Sequence, residues 1–131
     1  MRILIVEDEL VGRFLLTEIL SNLGLCNIAV DGEEAVEAVK LALEKNDPYD
    51  LICLDIMMPV MDGQEALKAI RTLEKDHGTS RDKQCKIIMI TALDDYDNIS
   101  KSYWEFCDGY FVKPIKKDKL IHLLRELKLS V

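Results

Sequence analysis

Five short apolar runs alternate along the chain with longer stretches in which apolar residues recur every three to four positions. The runs lie at residues 3–6, 27–30, 51–54, 86–90 and 110–112. The first, third and fourth are apolar almost throughout, the pattern expected of strands covered on both faces. Between the runs the period lengthens from two to about 3.6 residues, the helical repeat. Leu16, Ile19, Leu20 and Leu23 form one stripe, ending near Gly24. Val36, Val39 and Leu43 form a second, which follows Asp31-Gly32 and is stopped by Asp47-Pro48. Ala66, Ile70 and Leu73 mark a third helix, Tyr96, Ile99, Tyr103 and Phe106 a fourth, and Leu120, Leu123, Leu124 and Leu127 a fifth. These stripes read as core-facing sides. Residues 76–84 are polar and long for a connection, and so predict a surface loop. Strands alternating with helices imply βαβ units, hence an α/β (βα)₅ domain with a doubly wound parallel sheet.

Composition narrows this to one globular domain. Of 131 residues, 49% are apolar and 31% charged, which excludes a disordered chain. Seventeen basic and 24 acidic side chains leave a formal charge of −7, which opposes direct binding to a nucleic-acid backbone. No apolar run approaches the roughly 18–20 residues that cross a bilayer. The first run is cut by Glu7, Asp8 and Glu9, so it is no signal peptide, and a cytoplasmic protein is expected. Cys26, Cys53, Cys85 and Cys107 form no C-x-x-C pair. Cys53 and Cys85 lie in or beside apolar runs and read as small buried hydrophobes.

The polar residues that follow the strands carry the chemistry. Strand one runs into Glu7-Asp8, strand three into Asp55, strand four into Thr91 and strand five into Lys113-Pro114. A parallel sheet lines up its carboxyl ends along one edge, so these groups meet in one crevice. At 4 Å and an effective dielectric near 20, each like-charge pair costs roughly 4 kcal/mol. Such a cluster holds a proton or a hard cation. Oxygen donors with room for water suit Mg²⁺, and no His or Cys stands where zinc would need one. A carboxylate such as Asp55 can accept a phosphoryl group, with Lys113 and Thr91 binding phosphoryl oxygens.

At this point the chain resembles the receiver domain of two-component response regulators, over essentially its whole length. The motifs are Ile3-Leu4-Ile5-Val6-Glu7-Asp8, Leu54-Asp55-Ile56-Met57-Met58-Pro59-Val60-Met61-Asp62-Gly63, Thr91-Ala92 and Tyr110-Phe111-Val112-Lys113-Pro114. The flavodoxin-like sheet order 2-1-3-4-5 is known for this family and is taken over from it. The resemblance implies Asp55 as phosphoacceptor and Lys113 and Thr91 as phosphoryl-binding groups. It implies Mg²⁺ bound by Asp8, Asp55 and the backbone carbonyl of Met57, with Glu7 acting through water. It implies a cis Lys113–Pro114 bond, room for the phosphodonor beside Ala92, and Tyr110 as the aromatic switch that turns inward with Thr91. Phosphorylation then shifts a pre-existing equilibrium. The implied readout face is the fourth helix, fifth strand and fifth helix, with Trp104, one position off the fourth stripe, as a partner contact. Met57 and Leu93 occupy positions that tune water attack on the acyl phosphate, and being apolar they would shield it. Phe106 departs from the family, which often has glycine there, and Glu7 stands in place of the usual Asp.

The expected partners are a histidine kinase or histidine phosphotransfer protein and a downstream protein target, with pairing of copies when phosphorylated. The expected domain is a receiver over residues 1–131 without an output domain. The alternatives are a phosphorylation-independent docking module, or a receiver segment of a longer regulator or hybrid kinase. An aspartyl-nucleophile phosphohydrolase needs a second acid two residues after Asp55, where Met57 stands, so no turnover of outside substrates is expected. A flavin or nucleotide binder would want a phosphate-cradling loop after strand one, where Glu7-Asp8-Glu9 repels phosphate. His77 and His122 lie away from the acids and read as solvated, and Gly32 and Gly63 as turn or helix-start residues.

Overall fold

A computed structural model describes residues 1–56, 61–92 and 106–129. Five strands, β1 (Arg2–Val6), β2 (Leu25–Ala29), β3 (Leu51–Asp55), β4 (Lys86–Thr91) and β5 (Gly109–Val112), form one parallel sheet in the order β2-β1-β3-β4-β5. Four helices are described: α1 (Leu10–Leu20), α2 (Gly32–Glu44), α3 (Gly63–Asp76) and α4 (Lys117–Glu126), which is the fifth helix of the sequence pattern. The polar connection after α3 contains a short 3₁₀ turn, Arg81–Lys83. The fourth predicted helix, with Tyr96, Ile99, Tyr103 and Trp104, lies outside the described residues, as do Met57 and Leu93.

The pleat of the sheet sorts its side chains into two cores. Leu4, Val6, Ile52 and Leu54 join Val39, Leu67 and Ile70 of α2 and α3 on one face. Ile3, Ile5, Leu51 and Cys53 join Leu16, Leu20, Leu120 and Leu124 of α1 and α4 on the other. All five β3 residues are buried, which explains why its sequence shows no polar alternation. The two cysteines expected inside are free and buried, and burial pushes the Cys53 thiol up to about 12.

One strand starts two residues and ends one residue earlier than its apolar pattern indicates. β2 is an edge strand whose ladder with β1 starts at Leu25 opposite Arg2. Val30, the last residue of the predicted run, leaves the ladder because its N–H donates to the Glu34 carboxylate at 3.1 Å. Glu34 in turn donates its own N–H to the N-cap side chain of Asp31, closing the start of α2. Asp62 caps α3 in the same way through the Glu65 N–H, so this acid serves the helix. Gly63 follows it because a Cβ there would lie 2.5 Å from the Asp55 carbonyl oxygen and the Ile56 Cα. Only glycine lets α3 begin so close to the end of β3.

Candidate functional site

The site lies at the carboxyl edge of the sheet, where β1, β3 and the segment after β5 converge. Glu7 is fully buried and Asp55 is 3% exposed, while Asp8 is half-buried. One carboxylate oxygen from each of Glu7, Asp8 and Asp55 lies within 4.8 Å of the others. The Lys113 ammonium stands 3.5 Å from Asp55 Oδ2 and 3.6 Å from Glu7 Oε2. Lys113 is placed by the strand geometry: its N–H donates to the Thr91 carbonyl at 2.8 Å, and the following Lys113–Pro114 bond is cis as expected.

The charges are unequal in number, and the electrostatics show it. Burial, then the Asp55 charge and a hydrogen bond shared with Asp55, push the Glu7 carboxyl up to about 7 despite the pull of Lys113. Burial opposes the Lys113 charge, but Asp55, Glu7 and Glu9 outweigh it and hold the ammonium above its usual pKa. Two buried oxygens, Glu7 Oε2 and Asp8 Oδ1, receive no hydrogen bond among the described residues, and Lys113 approaches the first only as an ion pair. Buried acceptors without donors are expensive, and a hard cation would satisfy both. The donor set, three carboxylates and no nitrogen or sulfur, fits Mg²⁺ or a similar oxygen-seeking ion.

Of the residues singled out in the sequence, Glu7, Asp8, Asp55 and Lys113 are brought together. Thr91 is fully buried at the end of the neighbouring strand, with its hydroxyl donating to the Ala92 carbonyl at 2.9 Å. Tyr110 lies on β5 and is 45% exposed. His77 caps the end of α3 and His122 pairs with Glu126 on the exposed side of α4, as their polar settings imply. One feature was not visible in the pattern: Leu10, Val11 and Phe14 on the first turns of α1 are 66–72% exposed, beside the acidic turn. Phe14 follows Leu10 by four residues and Val11 by three, which marks an apolar face distinct from the core stripe.

A doubly wound sheet with a carboxylate cluster at its carboxyl edge and a lysine just past β5 is the arrangement expected of a regulatory receiver domain. The chain belongs to the response regulator receiver domain family, whose model matches residues 3–125. It is 35% identical over 127 residues to the osmosensing histidine protein kinase SLN1 of Saccharomyces cerevisiae, covering 95% of this chain and 10% of that protein. The chain thus spans a small part of that kinase. It is also 35% identical over 126 residues to the chemotaxis protein CheY of Halobacterium salinarum, covering 96% of this chain and 95% of that one. The crystal structure of the CheX-CheY-BeF3-Mg+2 complex from Borrelia burgdorferi contains a similar fold, with a TM-score of 0.80 and 28% identity over 99% of this chain and 90% of that chain. The chain is therefore a receiver domain of two-component signalling, a module that makes up nearly all of that CheY and a small part of longer relatives such as hybrid signal transduction histidine kinase B of Dictyostelium discoideum.

Proposed function

We propose that Asp55 is the phosphoacceptor and that residues 1–131 act as one receiver domain whose protein-binding face changes on phosphorylation. The observation that carries this is the meeting of Glu7, Asp8 and Asp55 within 4.8 Å with the Lys113 ammonium 3.5 Å from Asp55. Glu7, Asp8, Asp55 and the Met57 carbonyl would hold Mg²⁺. When bound, that cation neutralises charge as an anionic donor approaches. An Asp55 oxygen attacks the phosphorus of a phosphohistidine. The P–N bond breaks, its electron pair leaves with the imidazole, which is protonated from solvent, and an acyl phosphate forms on Asp55. No hydrolysis of outside substrates is part of this reading.

Lys113 pairs with the carboxylate before the reaction and with a phosphoryl oxygen after it. The Thr91 hydroxyl exchanges the Ala92 carbonyl for a second phosphoryl oxygen, and exposed Tyr110 follows it inward. The phosphoryl oxygens that Lys113 and Thr91 would bind exist only in the phosphorylated form, so that form favours the active conformation. The changed face, around β5 and α4, meets a downstream protein or a second copy, in the cytoplasm where a kinase can reach it.

Intact mass after incubation with acetyl phosphate is the test. One phosphoryl group that requires both Mg²⁺ and Asp55 is expected. An adduct that survives in Asp55→Asn would overturn the assignment.

The exposed apolar turn of α1 borders the site and supports a protein donor that docks there. Phe14→Glu should slow transfer from a phosphorylated histidine phosphotransfer protein at least about tenfold, equivalent to ~1.4 kcal/mol. Phosphorylation by acetyl phosphate, which needs no docking, should be unchanged. Equal slowing with both donors would remove α1 from the docking surface.

A further inference from the structure

Glu7 carries its carboxylate one methylene farther from the backbone than an aspartate would, and the fold has to find space for it. That space lies over α1. A Cβ built on Gly12 would stand 2.8 Å from Glu7 Cδ, 2.9 Å from Cγ and 3.1 Å from Oε1. Side-chain ends usually yield to such a contact, but this one is fully buried. It is also held by the Glu9 N–H on Oε1 at 3.2 Å and by Lys113 at 3.6 Å from Oε2. Moving it away from Gly12 would disturb the other two acids.

The next residue holds the same turn from its backbone side. One Arg13 guanidinium nitrogen donates to the Asp8 carbonyl at 2.8 Å and to the Glu7 carbonyl at 3.2 Å. Both residues that supply carboxylates just after β1 are thereby tied to one side chain of α1.

We propose that Gly12 and Arg13 are positioning residues for the metal-binding carboxylates: Gly12 supplies the space that lets the longer Glu7 enter the cluster, and Arg13 fixes the Glu7-Asp8 backbone. This rests on the reading of the cluster as an Mg²⁺ site. Neither residue touches the cation or the reacting atoms. They act through Glu7 and Asp8, as groups behind metal ligands commonly do, with effects of about 10–100-fold in affinity.

The decisive experiment is a double-mutant cycle read by calorimetric titration with MgCl₂ and by metal-free melting in EDTA. Gly12→Ala should weaken Mg²⁺ binding about tenfold or more in the native background, the size expected for such supporting residues. In the E7D background, where the shorter side chain vacates the contested space, the same substitution should cost less than about twofold, because coupling vanishes when the contact is gone. The drop in melting temperature caused by Gly12→Ala without metal should shrink in the E7D background as well. Arg13→Gln should weaken Mg²⁺ binding about tenfold, and Arg13→Lys, which keeps a donor for one carbonyl, should recover part of the loss. Equal cost of Gly12→Ala in both backgrounds, or an unchanged affinity in Arg13→Gln, would overturn the corresponding role. A wild-type protein that takes up no Mg²⁺ at millimolar concentration would instead overturn the metal site itself, and this inference with it.

Discussion

Arg71→Leu should destabilise the domain by about 3–5 kcal/mol, the usual cost of removing one partner from a buried ion pair. The Arg71 side chain is 10% exposed and has two carboxylate partners: Glu74 at 2.6 Å on the same helix and Asp108 at 2.9 Å just before β5. It also donates to the carbonyls of Cys85 at 3.0 Å and Phe106 at 2.8 Å. The two acids are committed elsewhere as well. Glu74 accepts the Cys85 N–H at 2.9 Å, and Asp108 accepts the Ile87 N–H at 2.8 Å. Without the guanidinium, Glu74 would be a 3% exposed carboxylate with no paired cation among the described residues. The pair need not be stabilising relative to apolar side chains, so the comparison with Arg71→Leu/Glu74→Leu separates the two contributions. That double variant should recover a large part of the loss in urea unfolding. If Arg71→Leu alone costs less than about 1 kcal/mol, the surface value for such pairs applies and the network adds little.

This network also shows which parts of the molecule the sequence pattern reveals. Strands and their order of chemistry were legible because a parallel sheet has one carboxyl edge, and Glu7, Asp8, Asp55, Thr91 and Lys113 each follow an apolar run. Arg71, Glu74 and Asp108 gave no such signal. Taken singly they are ordinary polar residues, and only the fold brings the Arg71 side chain of α3 against the residues that lead into β4 and β5, burying Glu74 while Asp108 stays open to water. The space between Gly12 and Glu7 was equally hidden, since a missing Cβ leaves no mark on periodicity. The start of β2 was misplaced by two residues because an edge strand needs little apolar character, with Leu25, Asn27 and Ile28 all exposed. The apolar face of α1 was masked by the stronger core stripe of Leu16, Ile19 and Leu20 on the same helix. Charge crowding at one strand edge pointed to a held proton or a hard cation without deciding between them, because three neighbouring acids need something to offset them.

Metal-free protein should lose roughly 3 kcal/mol of stability between pH 4.5 and about 7, from Glu7 alone, since each tenfold change in proton affinity is worth ~1.36 kcal/mol. The unfolded chain ionises this carboxyl near its ordinary value of 4.5, while the folded chain keeps the proton until about pH 7. Below 4.5 both states are protonated and the neutral, buried side chain carries no charge penalty. As pH rises through the window the unfolded state releases its proton first, so folding becomes less favourable. The raised pKa of Lys113 acts in the same direction but only above its own ordinary value of 10.5, outside this window. Unfolding in urea with EDTA at pH 5 and pH 8 should therefore show the loss in wild type. Glu7→Gln, which mimics the protonated form, should lack it, and an equal slope in both proteins would mean that other groups set the pH dependence. Mg²⁺ reverses the sign: the cation needs the ionised carboxylate, so binding releases a proton and affinity should rise about tenfold per pH unit below 7. Saturating Mg²⁺ should then make the domain more stable at pH 8 than the metal-free form by more than it does at pH 5. The same burial that makes the empty acid cluster costly at neutral pH is what makes it a strong competitor for a cation there.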